Sequence, residues 1–325
     1  MKNFKILTIV FIISVLYLIS GCGKPNEFTS HFKIISTSPN PGYAQSIWIG
    51  NVNNKPYAFV ASGQAGMVVY NIDNPESTYI VSQWMDTVNT CWDVTTLQGY
   101  AYLAYGQKEL VVVDCRNLDS LRYVVDINYP SPGNSNSIFI EDTTNIYIGL
   151  QDRLLISQVS QPAFPQEYNP PRHIRGIFVS DSFAYFACEQ LGICIMNIKT
   201  TPRRIINICY TPSNARGVFV RDNTCYVADG RNGLVLIDVT NPRQASIISE
   251  LHLSGYANRV YVRDTLVYLA CSDGGLSIVN VKDRTNPLLV DVIQTSYAKG
   301  VFVSDSQYIY VADRDQGLVV IKQEE

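Results

Sequence analysis

One pattern recurs along this chain at a spacing of about forty residues, and it limits what the chain can become. Its clearest copy runs from Tyr226 to Pro242, YVADGRNGLVLIDVTNP: a strand, a loop bearing Gly, a second strand and an Asn-Pro turn. The aromatic that opens it recurs as Phe59, Tyr102, Tyr147, Tyr185, Tyr226, Tyr268 and Tyr310, at steps of 43, 45, 38, 41, 42 and 42 residues. Such a period marks an array of supersecondary units, none able to bury its own apolar faces alone. Downstream of the aromatic stands Gly66, Gly192, Gly233, Gly275 or Gly317, after a tight polar loop that suits a backbone angle only Gly adopts cheaply. The second copy has Glu109 in that place and the third is a residue short, so these two loops are predicted to differ from the others.

Each unit reads as four short strands. In the sixth they are Arg259–Arg263, Leu266–Cys271, Leu276–Val281 and Leu288–Thr295, the first two joined by the tight link Asp264-Thr265. Acidic turns recur there, at Glu141-Asp142, Ser180-Asp181, Arg221-Asp222 and Ser304-Asp305, where Asp can hydrogen-bond the turn backbone. The third strands, LVVVD at 110–114, LVLID at 234–238 and LSIVN at 276–280, are nearly continuous apolar runs, which requires both faces of the sheet to be covered. Asn74-Pro75, Thr201-Pro202, Asn241-Pro242 and Asn286-Pro287 then turn the chain toward an outermost strand, where Pro is tolerated. The third unit carries this furthest, with Pro162, Pro165, Pro170 and Pro171.

Tyr, Val and Ile suit strands, and no run at helical spacing follows the first 21 residues, so the chain is all-β. Radially arranged four-stranded sheets, each packed between two neighbours, satisfy the covered faces: a seven-bladed β-propeller. Paired sandwiches would alternate more strictly, and an open solenoid would show atypical capping units. The last unit stops after its third strand, whereas Phe32–Ser38, FKIISTS, precedes the first unit and matches an outer-strand segment at Ile247-Ile248-Ser249. The N-terminal strand is therefore expected to complete the last blade beside Leu318–Ile321 and remove an open edge.

Residues 1–21 lie outside this fold. Lys2 and Lys5 precede an apolar run, Ile6 to Ile19, and then Ile19-Ser20-Gly21-Cys22. That is the layout of a secretory signal, and the run is short of the roughly 20 residues a spanning helix needs. The Cys after Ser-Gly resembles the lipobox of bacterial lipoproteins, which implies acylation of Cys22 and anchoring on a membrane through its acyl chains. An uncleaved anchor is the plainer alternative. Residues 22–31 read as a tether after the lipidated cysteine, and 32–325 as the propeller.

The formal charge is −3, and without Lys2 and Lys5 the mature chain stands at −5 with no basic block, which argues against nucleic acid as a partner. Only His31, His173 and His252 are present, and no ligand pair, phosphate loop or nucleophile elbow occurs, so neither cofactor nor metal is expected. Asp313-Arg314-Asp315-Gln316-Gly317 has a trace of a calcium loop but reads as a turn. Of eight cysteines, Cys115, Cys194 and Cys225 occupy core strand slots, and Cys188 and Cys271, a blade apart, are too far from each other to bridge.

The strands LVVVD and LVLID, with their flanking Gly and Asn-Pro, resemble the LVIVD-repeat family over residues 32–325. The resemblance implies a propeller on secreted or surface-anchored proteins and supplies no catalytic motif. The likeness to WD repeats is in period only, since Trp92-Asp93 occurs once and out of place.

Aligning the innermost strands puts Gln45, Trp92, Asn136, Arg175, Arg216, Asn258 and Lys299 in one equivalent position, and the neighbouring loops add Tyr105, Glu189, Asp229, Asp273 and Asp313. On one account the basic members pair with those acids and tie blades together. On the other they form a polar funnel with an aromatic wall at Trp92 and Tyr105, able to hold an acidic sugar or a peptide carboxylate. The expected function is a membrane-anchored extracytoplasmic binding or scaffold module for a protein or carbohydrate at the loop face. The alternatives are a hydrolase or lyase with an axial funnel, and an accessory lipoprotein of an envelope assembly complex.

Overall fold

The structure, a computed structural model, describes residues 31–86, 89–127, 133–140, 143–169, 173–304 and 307–324. Cys22, the leader and the tether up to residue 30 lie outside the described residues, as do the Glu141-Asp142 turn, Asp305, Pro170 and Pro171.

Seven antiparallel sheets of four strands each are arranged as blades. Blades 1 to 6 use consecutive strands, opening at Ser46, Cys91, Ser135, Gly176, Gly217 and Arg259. Blade 7 takes three strands from the C-terminal end, and its fourth is Phe32–Ser38, with Phe32 opposite Gln323 and Ser38 opposite Leu318. The first strands of successive blades lie side by side around the axis.

The core is divided into seven wedges, each built from two adjacent blades. This accounts for the unbroken apolar third strands. In Leu110–Asp114, Val111 and Val113 enter the wedge toward blade 1, while Leu110 and Val112 enter the one toward blade 3. Successive strand side chains point to opposite faces, so a run apolar on both serves two neighbours.

The polar residue that ends the third strand has its own role. The side chains of Asn71, Asp114, Asn197, Asp238 and Asn280 each accept a hydrogen bond from the backbone N–H two residues on, at 2.9–3.0 Å, closing an Asx turn. Blade 3 has Gln158 there and goes directly into its outer strand, Gln161–Tyr168, which holds Pro162 and Pro165.

Two sequence expectations need correcting. Asp181, Asp222 and Asp264 in the first hairpins accept no backbone hydrogen bond from the described residues; they adopt φ of +55°, +48° and +52°. Their contribution is tolerance of the left-handed conformation that a tight hairpin needs. The loop of blade 2 also does not differ from the standard one. Glu109 takes φ +58° in the Gly slot, and its carbonyl accepts from Tyr105 N–H at 3.1 Å, as Gly66 does from Ser62 at 2.7 Å. What holds a Glu there is Arg153 of blade 3, at 2.8 Å in a buried ion pair. The loop of blade 3 is shorter, closing from Leu150 N–H to the Arg153 carbonyl.

All seven cysteines from Cys91 onward are buried free thiols. Burial raises the thiol pKa of Cys91, Cys115, Cys188, Cys209, Cys225 and Cys271, to about 11 in the last.

Candidate functional site

The axial mouth is built by a repeated backbone device. The residue before the aligned position bridges back to the preceding blade: Cys91 to Gly63, Ser135 to Gly106, Ala215 to Glu189, Ala257 to Gly230 and Ala298 to Ser272. The residue after it enters its own blade's ladder. At Trp92, Asn136 and Lys299 the register skips, leaving that one residue opposite no partner. A bulge of this kind re-aims a side chain, and in blades 2, 3 and 7 it turns one residue toward the axis; Gln45, Arg175, Arg216 and Asn258 reach it with their N–H groups bonded to Ala61, Ala187, Ala228 and Ala270.

The outcome is a cavity of about 80 Å³ lined by Gln45, Trp92, Asn136, Arg175, Arg216, Asn258, Lys299 and Arg259. The structure thus brings all seven aligned residues together. Of the neighbouring loop residues, Glu189 reaches the mouth. Its Oε1 accepts from Arg175 Nε at 2.6 Å and from Arg216 at 3.2 Å, and His173 Nδ1 lies 3.9 Å from its Oε2. The other four do not line the funnel. Tyr105 is fully buried, donating its hydroxyl to the Asp86 carbonyl at 3.3 Å, so it is no part of the wall. Asp229 accepts from Thr211 at 2.7 Å and from Ser213 N–H at 2.8 Å. Asp313 accepts backbone N–H bonds from Tyr297, Asp315 and Gln316, which makes its loop a carboxylate-organised turn. Asp273 is exposed on its loop.

The pairing account therefore holds for Arg175 and Arg216 and fails for Lys299, which has no carboxylate partner among the described residues and sits 5.3 Å from the Tyr297 ring. Burial first, then Arg216, Arg314, Arg259 and Arg175, bring its ammonium down to about 8. Burial and Arg175 also lower the Arg216 guanidinium from its usual value. Four cations thus line one small cavity in a chain whose net charge is negative.

Sequence reasoning missed two residues of the floor. Arg259 donates to Asp93 at 2.9 Å and to the Arg175 carbonyl at 2.7 Å, spanning the axis from blade 6 to blade 2. Asp93 also accepts from Ser46 at 2.5 Å and from the N–H groups of Val94 and Ile138. The signal was in the next aligned column, where the other blades carry Ser46, Ser137, Gly176, Gly217 and Gly300: a lone Arg and a lone Asp stand out among small residues. The column is small because the blades meet there; a Cβ on Gly217 would lie 2.9 Å from Arg259 Cα. Tyr256 and Tyr297 were missed as well, the former 5.9 Å from the Arg216 guanidinium.

Below the Arg259–Asp93 strut the axis turns apolar. A chamber of about 380 Å³ is ringed by Trp48, Phe139, Phe178, Phe219, Tyr261 and Phe302, from equivalent positions in six blades. Neighbouring rings stand 4.6–5.4 Å apart, and the ring is open only where blade 2 has Thr95.

The fold and funnel define a seven-bladed propeller with a cationic axial pocket. A profile of the LVIVD repeat matches residues 41–86, 90–128, 212–249, 254–295 and 296–321, more than half of the chain. The chain belongs to the LVIVD-repeat family. The unmatched stretch holds blade 3, which lacks both the Gly-slot loop and the Asx turn, and blade 4. Among solved structures, one titled "Crystal Structure of Mitotic Checkpoint Complex" superposes with a TM-score of 0.72 over 90% of this chain and 94% of that one, at 10% identity, a likeness of fold alone. A search of curated proteins gave no match.

Proposed function

We propose that this protein is a binding module that captures an anionic group of a carbohydrate or protein partner in its axial funnel, and that acylated Cys22 holds it on the outer side of a membrane. Fold alone carries no function; the observation behind this reading is the convergence of Arg175, Arg216 and Lys299 on one small cavity, where Glu189 pairs with the two arginines and Lys299 has no carboxylate partner among the described residues. The cavity suits one small polyatomic anion. Arginine meets a carboxylate through a two-pronged, charge-assisted contact, and rigid blades hold the prongs in place before the ligand arrives. The carboxylates beside the funnel, Glu189 and Asp93, are each held by arginine, which favours binding over proton transfer.

The test is the double substitution Arg175→Ala with Arg216→Ala, assayed for melting and for partner capture from membranes. Both arginines are removed together and Glu189, 24% exposed, keeps access to water, so the double substitution is expected to cost only modest stability. Capture is expected to weaken roughly tenfold or more while melting stays close to the parent's. Unchanged capture, or lost melting alone, removes the reading.

A further inference from the structure

A groove of about 370 Å³ runs outward from the funnel across the loops of blades 2, 3 and 4. Its walls are Asn89, Gln107, Asn134 and Gln151, with Trp92, Asn136 and Arg175 at the inner end, where groove and funnel share all three side chains. Trp92 is 38% exposed although it lies between Cys91 and Asp93, which are both buried. Asn136 is committed, donating to the Asn134 carbonyl and accepting from Arg175, whereas the amide side chains of Asn89, Gln107, Asn134 and Gln151 make no hydrogen bond to any described residue. Four neutral groups, each able both to donate and to accept, are thus uncommitted beside one exposed indole face.

That combination has a definite complement. Sugar rings present paired hydroxyls, which need a donor and an acceptor together, and a C–H face that packs on an aromatic plane. An extended peptide would instead seek an open sheet edge, or a groove with several apolar anchors. This groove offers loops, bulge residues and a single aromatic. Its only charge is Arg175, at the funnel end, so the anionic part of a ligand lies on the axis and the neutral part over the amides.

We infer that funnel and groove form one continuous site for an acidic oligosaccharide: a sugar carboxylate sits among Arg175, Arg216 and Lys299, the adjoining ring packs on Trp92, and further hydroxyls meet Gln107, Asn134 and Gln151. The inference rests on the funnel being an anion site, and the experiment separates the two. Titration calorimetry on the full chain would compare galacturonate, its α-1,4-linked hexamer, a neutral α-1,4-linked glucose hexamer and hexaglutamate. The expected order is hexagalacturonate first, roughly tenfold or more tighter than the monomer, with the neutral hexamer weakest. Gln107→Ala with Gln151→Ala, at side chains that line the groove and not the funnel, should bring the uronate hexamer roughly tenfold toward the monomer and leave the monomer unchanged. Equal binding of monomer and hexamer, hexaglutamate binding as tightly as the uronate hexamer, or indifference of the hexamer to the double substitution would overturn the groove and leave the funnel standing. If none of the anionic probes binds, both readings fall.

Discussion

Lys299 shows how a single side chain links this site to pH. Its ammonium titrates near 8 in the fold against 10.5 ordinarily, lowered by burial and by Arg216, Arg314, Arg259 and Arg175. Between those values the unfolded chain binds more protons than the folded one, so stability rises with pH across that window and the full penalty is present below 8. Lys299→Met is therefore expected to melt roughly 2–4 °C above the parent at neutral pH, a gap that closes as the buffer passes the ordinary lysine value. A bound anion favours the charged lysine, so anion affinity should fall as pH rises through 8, measured by titration on either side of it. Glu109 poses a different contest. Glu109→Gly restores the residue found in five equivalent loops and relieves a left-handed backbone, a gain of about 1 kcal/mol. It also removes one buried partner of Arg153, which keeps Asp152 at 2.7 Å and Glu167 at 3.9 Å, and it removes a carboxylate whose pKa burial already raises. The two terms are then of similar size, so the substitution is expected to move the urea midpoint by no more than about 1 kcal/mol; a loss of several kcal/mol would show that Arg153 depends on Glu109 alone.

The strand that closes blade 7 is held by non-covalent contacts: the ladder from Phe32 to Ser38, the packing of Phe32, Ile34 and Ile35, and a hydrogen bond from Ser38 to the Thr78 carbonyl of blade 1 at 2.7 Å. Deleting 32–38 should expose the edge at Leu318–Ile321, lower the melting temperature and promote aggregation; a deletion variant that melts like the parent would mean the ring closes by other means. This strand was legible in the sequence because FKIISTS had no partner of its own and blade 7 lacked a fourth member. The third strands were legible because an apolar run that serves two wedges cannot alternate. The convergence of seven aligned residues followed from the repeat, whereas the bulge that aims Trp92, Asn136 and Lys299 did not, since it follows a bridge from each of those blades to its neighbour. Tyr105 shows the limit of reading by loop position: two residues can share a loop while one faces the axis and the other fills a wedge. Arg259 and Asp93 lie 166 positions apart, and nothing short of the closed ring says that they touch.

A ring of wedges is as strong as its seam, and here the seam is also where the chain enters the fold. Cys22→Ala should abolish acyl labelling and either release the protein or stall its precursor, scored by metabolic labelling with a fatty acid and by fractionation; undiminished labelling would dismiss the anchor. The entry point has a direction. Phe32 lies opposite Gln323, at the far end of the last strand from Gly317, and Gly317 follows a loop of the kind that, with Glu189, builds the mouth of the funnel. The chain therefore joins the propeller on the side away from the funnel. A pull on the polypeptide upstream of Phe32 would be borne first by the seam, peeling Phe32 from Gln323 one rung at a time. Strain on the seam would thus enter at the end of the blade farthest from the funnel.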